Sequence, residues 1–491
     1  MKTDHTQRSR ARVPWAGRQR RILFIAAIAL ACPFIVFLTA KHYSDRNYAA
    51  RLAAIRATGS PATLEELVKY KAHASVPDEV QEGETNAAKP SGENPPVTAE
   101  VPPDRPSEKP AQTSAELQVQ VAGDLDALRE SPEEMNIRDI LERLHNEGLI
   151  TPEDMETLKA YLEKYGPLLQ RLHEAGAQTP GSFPLDYSKG FEMELPHLAR
   201  TRTAVRLLQA EATYEALLGN ADGAFNALTA AMSMYQPLRQ EDLIISVLVI
   251  KACNDTVLAT LAETLGRVTY SDAQLSHLQQ SFASAYDPEA LANAFVTERV
   301  FGTSAFDDPA RFMNARINWL EELLPGASAT LVRTANAFGW FTQDRVHYLD
   351  AMDTLIQAAR MPYAEARNAF PDLEAGRGSV LNGLSNLLLP ALGRLLGVNA
   401  NYETRMDQGA IAAAIERYRL DQGAPPDQLE TLVPGYLDTV PPDPYDEQPL
   451  RYRREGEGYV VYSIGDNLAD EGGTEDPRSS REGDVVFRVR R

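Results

Sequence analysis

The 491 residues carry 49 lysines and arginines against 69 aspartates and glutamates, a formal net charge of −20. That length leaves room for two or three domains, and the charge leaves no basic face suited to nucleic acid. The two cysteines, Cys32 and Cys253, sit in unlike apolar stretches and form neither a disulfide framework nor a cysteine metal site, while the eight histidines are scattered without metal-type spacing.

Residues 1–21 hold Lys2, Arg8, Arg10, Arg12, Arg18, Arg20 and Arg21 against one acid, Asp4. Residues 22–40 then run without a charge, long enough to cross the roughly 30 Å hydrocarbon layer as a transmembrane helix. The basic flank predicts an inside amino terminus with the bulk of the chain outside. The run is longer than the apolar region of a cleaved signal peptide, and no small-x-small cleavage site follows it. Ala29-Leu-Ala-Cys32 is a poor lipoprotein box, with Ala29 in the leucine position and Pro33 next.

Residues 41–70 read as short membrane-proximal helices, with Ser60-Pro-Ala-Thr63 as a helix start and Leu64, Leu67 and Val68 as a narrow apolar face. Residues 71–112 hold eight prolines, eight acids and no aromatic residue. Such a composition cannot bury enough surface to offset chain entropy and predicts an extended, flexible linker between membrane and body.

Helical patterning returns at Ser114 and persists to about Val398, giving an all-helical body over 113–400 of roughly ten helices. Starts are marked by Ser131-Pro-Glu-Glu134, Thr151-Pro-Glu-Asp154, Ser271-Asp-Ala-Gln274, Asp287-Pro-Glu-Ala290 and Asp308-Pro309. Leu198 to Leu218 and Ala224 to Tyr235 make a helical hairpin of tetratricopeptide type, a single unit without the 34-residue repeat of a solenoid. Leu243 to Ile250 is apolar all round and predicts a buried central helix, and Leu387 to Leu396 is broken by Pro390 and Arg394, so neither is a second span. Glu192-Met-Glu-Leu-Pro-His197 is the best catalytic-looking cluster. It lacks the second histidine one turn away that a metalloprotease needs, and it reads as a helix start in which His197 bonds the backbone. Tyr214, Tyr235, Phe338, Trp340 and Phe341 read as core before they read as a groove. No nucleophile elbow, phosphate loop or dinucleotide fingerprint is present.

In 401–491, Tyr402 to Gln422 places Met406, Ala410, Ala413, Ala414 and Tyr418 at helical spacing and predicts a half-buried helix ending at Gly423. Asp427 and Glu430 suggest a capping box for a short helix. Leu450 to Arg454, Tyr459 to Ile464 and Val485 to Val489 read as strands, the first two joined by Glu455-Gly-Glu-Gly458. The fold class is therefore mainly α: a transmembrane helix, an all-α body and a small α+β C-terminal domain of a long helix on a short antiparallel sheet. The loop before the last strand holds Asp466, Asn467, Asp470, Glu471, Glu475, Asp476, Glu482 and Asp484 with Gly465, Gly472 and Gly473. Hard oxygen donors on a glycine-rich loop suit Ca²⁺, and a solvated acidic loop is the alternative.

Pro442-Asp-Pro-Tyr445, Pro449-Leu-Arg-Tyr452, Tyr462-Ser-Ile-Gly465 and an acidic Gly-Gly loop closing on Asp484-Val-Val-Phe487 resemble the C-terminal domain of the type II secretion major pseudopilin. That resemblance implies a Ca²⁺ site in this loop, with the Ile464 carbonyl, Asn467 in place of the usual aspartate, Asp484 closing the set, and Asp466 or Asp470 as a further donor. No pseudopilin start, a Phe followed by a Glu within an apolar helix, precedes Ile22. The order of anchor, linker, helical body and tail also resembles a group of bacterial envelope proteins. The expectation is a single-pass inner-membrane protein with a periplasmic bulk, without enzymatic activity, stabilised by calcium and bound to envelope or secretion-system proteins. An envelope hydrolase with its site in the helical body is the alternative.

Overall fold

The computed structural model describes residues 39, 41–74, 112–308, 340–369, 385–475 and 483–491. The apolar run 22–40 except Thr39, most of 71–112, Pro309 and Phe338 lie outside the described residues. The described residues are mainly helical and end in one small antiparallel sheet.

The chain divides into two compact units. One gathers 1–60, 305–349 and 379–385. In it a helix over 41–57, α1, sets the Tyr48 ring 4.9 Å from the Arg345 guanidinium carbon. Arg345 pairs with Asp307, Phe306 meets Tyr348 at 5.8 Å, and buried Asp344 accepts the Ser385 N–H at 3.2 Å.

The larger unit gathers 61–304, 350–378 and 386–491. Its helices begin with α2 (Leu64–Ala74), α3 (Ser114–Gln120), α4 (Ala122–Arg129), α5 (Pro132–Glu147), α6 (Pro152–Lys164) and α7 (Gly166–Gly176). They continue with α8 (Pro196–Leu217), α9 (Ala221–Met234), α10 (Ile244–Leu265), α11 (Asp272–Ala283) and α12 (Ala290–Ala305). The helix α13 (Trp340–Ala359) counts with the smaller unit to Leu349 and with the larger from Asp350; α14 (Tyr363–Ala369), α15 (Ser385–Gly393, in the larger unit from Asn386) and α16 (Leu395–Gln422) follow. Side-chain caps set several starts: Ser131 accepts from the Glu134 N–H, and Thr151 with Asp154 and Ser271 with Gln274 form reciprocal capping boxes. Gly219, at φ 74°, turns the chain between α8 and α9, and Asn220 caps α9. Among the described residues α10 is the one helix long and apolar enough to cross a membrane, and it packs in the core against α8, α9 and α16.

Two packing features bear on the expected division of the chain. First, α2 is not separated from the body by the proline-rich stretch. Leu67 is fully buried with Leu243, Val300 and Phe301, and the Arg299 guanidinium donates to the Pro61 carbonyl at 3.3 Å. The narrow apolar face of α2 finds its cover on the body itself. Second, 401–491 shares a helix and an apolar core with the body. The 400/401 boundary falls inside α16, and one apolar core runs from Leu125, Leu208 and Leu261 through Phe282 and Ile411 to Tyr459 and Phe487. Gln408 to Glu416 is buried on every face because α16 is sandwiched between α11 and the sheet. Its run of alanines and Gly409 permits that closeness: a Cβ on Gly409 would lie 2.7 Å from Leu258 and 2.8 Å from Phe282.

The sheet follows the predicted ranges closely, as β1 (Arg451–Glu455), β2 (Gly458–Ser463) and β3 (Val485–Val489) in the order β1-β2-β3. Asp427 does not cap a helix. Leu429–Leu432 is a 3₁₀ turn without a side-chain cap, and the Asp427 side chain stays in solvent, 3.6 Å from Arg454.

Candidate functional site at the acidic loop

Strand register sets the floor of the loop. Arg453 pairs with Val460, which pairs with Arg488, so the three stand in one cross-strand row on one face of the sheet. Tyr459 and Val461 point the other way, into the core under α16. Val460 faces outward and is nonetheless fully buried, because the loop folds back across it. At Gly473 (φ 78°) an added Cβ would lie 3.2 Å from both Val460 and Tyr462, which is why glycine stands there.

The four residues expected to hold Ca²⁺ are engaged elsewhere. The Asp466 carboxylate accepts the Tyr363 hydroxyl at 2.7 Å, and Arg367 donates to the Asp466 carbonyl at 2.8 Å. Asn467 accepts the Ala469 N–H at 3.0 Å and donates to Glu471 at 2.8 Å. Asp470 accepts the Gly472 N–H at 2.9 Å. Asp484 accepts N–H groups from Gly473 at 2.6 Å, Thr474 at 3.2 Å and Glu471 at 3.4 Å. Among the described residues no three His, Cys, Asp or Glu side chains converge on one point. As described, these donors are taken up by the protein's own amides and side chains. Asp476 and Glu482 lie outside the described residues.

Sequence reasoning missed the groups that hold the loop. Asp443, of the Pro442-Asp-Pro-Tyr445 motif, is fully buried and accepts from the Tyr445 and Ile464 N–H groups, the Ser463 hydroxyl and Arg451. Burial pushes its carboxyl above the usual range against the pull of those donors. Arg453 donates to the Gly472 carbonyl and Arg488 to the Gly473 carbonyl, each at 2.7 Å. Burial likewise raises Asp484 while its three amide donors oppose the shift. The signal in the sequence was the alternation Arg451-Tyr-Arg453, two guanidinium groups on one face of a strand beside an acidic loop.

His197 has a different partner from the one expected. Its Nε2 lies 2.9 Å from buried Glu241, without the alignment of a hydrogen bond, and its ring stacks on Phe183 at 4.5 Å. A groove of ≈ 330 Å³ between α5, α8 and α10 is lined by groups of both signs, with Arg206 tied to Glu134 and Asp255 to Lys251. No family model, curated protein or solved structure matches the chain.

Proposed function

We propose that this chain is a single-span bacterial envelope protein, amino terminus inside, that performs no chemistry and binds envelope or secretion-system proteins through its helical unit and loop-bearing tail. The observation that carries this reading is that the tail over 401–491 is built onto the helical body. Asp466 of its loop is held by Tyr363 and Arg367 of α14, and α16 is shared between the tail's sheet and the body's core. Such a tail is displayed from a fixed platform and has no free stem to polymerise. Leu468 supports a docking role: it stands 48% exposed in the left-handed region at φ 58°, an apolar side chain held outward at the loop.

The test is photo-crosslinking in living cells from a reactive amino acid at Leu468, together with a reporter fused after Arg491 that is active only outside the cytoplasm. An active reporter and adducts with a secretion-system component support the reading. A silent reporter on a stable fusion, or adducts with none of that machinery, overturns it.

A further inference from the structure

We propose that arginine guanidinium groups do in the acidic loop what a bound divalent cation would do, so that the loop is ordered without metal. The peptide groups around Gly472 and Gly473 are held from both ends. Their N–H groups point to carboxylates, Gly473 and Thr474 to Asp484 and Gly472 to Asp470, while the carbonyls of Gly472 and Gly473 take Arg453 and Arg488 at 2.7 Å. Peptide carbonyls are the oxygens a hard cation would take from such a loop. A guanidinium supplies positive charge there through a planar fork, with a weaker hydration shell to shed than a small ion has.

Two further acids of the loop, Asp466 and Asp470, face guanidinium groups as well. Arg451 binds Asp443 at 2.7 Å and Asp446 at 2.5 Å and lies 3.9 Å from Asp470. Arg367 lies 3.5 Å from the Asp466 carboxylate. Arg453 and Arg488 also share Glu455, at 2.6 and 3.4 Å, which steadies both beneath the loop. An acidic loop of this kind repels itself unless a cation is present, and here four side chains already provide the cations. The placement follows from the register: two arginines flank Val460 in a single row, and the loop crosses that row. This lock stands whether or not the docking role proposed above does.

The test uses the full chain in detergent, with amide hydrogen exchange of 464–475 and thermal unfolding compared in EDTA and in about 2 mM CaCl₂, a concentration that would fill sites of the extracellular type. The parent protein is expected to melt alike in both and to keep its loop protection in EDTA. Arg453→Gln with Arg488→Gln is expected to lose about tenfold or more of that protection, the effect of one charged hydrogen bond, while the helices keep theirs. If the double variant does not fold, Arg453→Gln alone decides by the same readout, since its side chain is 53% exposed. Stabilisation or added loop protection by Ca²⁺ in the parent, or full protection in EDTA after the substitutions, overturns the proposal.

Discussion

The Lys71 ammonium pairs with the Asp242 carboxylate and lies 5.4 Å from the Tyr187 ring centroid, fastening the helix before the proline-rich stretch to the body that follows it. Asp242 itself sits in the left-handed region at φ 50°. With Leu67 buried beside this pair, α2 is docked by an apolar anchor and a charged one. The composition of residues 71–112 makes that stretch the expected first site of limited proteolysis. The nicked protein is expected to run as one species in gel filtration, its amino-terminal fragment retained. Leu67→Ala, which removes about 2–5 kcal/mol of buried contact, is expected to release that fragment. Separation of the fragments in the parent protein would rule out the docking.

A second prediction concerns the polar chain that joins body and tail inside the core. The Tyr235 hydroxyl donates to Asn254 at 2.7 Å, Asn254 donates to the Tyr402 oxygen at 3.1 Å, and the Tyr402 hydroxyl donates to the Ala285 carbonyl at 2.9 Å. Asn254 is fully buried, so Asn254→Ala leaves a cavity, strands the Tyr235 hydroxyl and removes the donor to Tyr402. A loss of about 2–4 kcal/mol is expected, read by denaturant unfolding. Because α16 belongs to both regions, tail and body probes should report one shared transition. A tail that melts separately would contradict the common core.

Much of this was legible and some was not, for physical reasons. Helix starts carrying Ser131, Thr151 and Ser271 were readable because capping is local chemistry. The strands were readable because runs of β-branched and aromatic residues, as in Tyr459–Ser463 and Val485–Val489, are also a local signal. The embedding of α16 was not, since Gly409, Ala410 and Ala412 to Ala414 are too small to mark a face, and only the partner Phe282 reveals why Gly409 must be small. The docking of α2 depends on Val300 and Phe301, far along the chain. The loop's acids were visible, but the groups that hold the loop, Tyr363, Arg451 and Arg488, come from three other elements, and no spacing rule joins them.

A third prediction is a pH dependence. Burial, with Glu403 one turn away on α16, pushes the Asp407 carboxyl up to about 7. A carboxyl raised on folding contributes stability in full below its unfolded range, and that contribution is lost as pH climbs through about 7. Asp407→Asn is neutral throughout and escapes this loss. Its stability relative to the parent is expected to rise between pH 4 and pH 8 by roughly 1–3 kcal/mol, discounted for the partial exposure of the group. Parallel stability curves for the two proteins over that range would show that Asp407 is not held in a desolvated site.

The last prediction separates a pinned carboxylate from a solvated one. Asp443 has no exposed surface and receives four donors: Ser463 at 2.9 Å, Tyr445 and Ile464 at 3.1 Å each, and Arg451 at 2.7 Å. Asp443→Ala leaves two amides and a hydroxyl without their acceptor where β2 gives way to the loop. A loss of about 3 kcal/mol or more follows if each stranded group contributes about 1 kcal/mol, a fall in Tm of roughly 6 °C or more for a unit of this size. Exchange should quicken first at Ile464 and along the loop to Thr474, since Asp443 fixes the point from which the chain turns over Val460. Asp427, equally acidic but 94% exposed in its side chain, is the control, and Asp427→Ala should stay within about 0.5 kcal/mol of the parent. Equal effects from the two substitutions would mean that Asp443 carries none of the loop, whereas a large loss at Asp443 alone places the loop's foundation in the Pro442-Asp-Pro-Tyr445 turn.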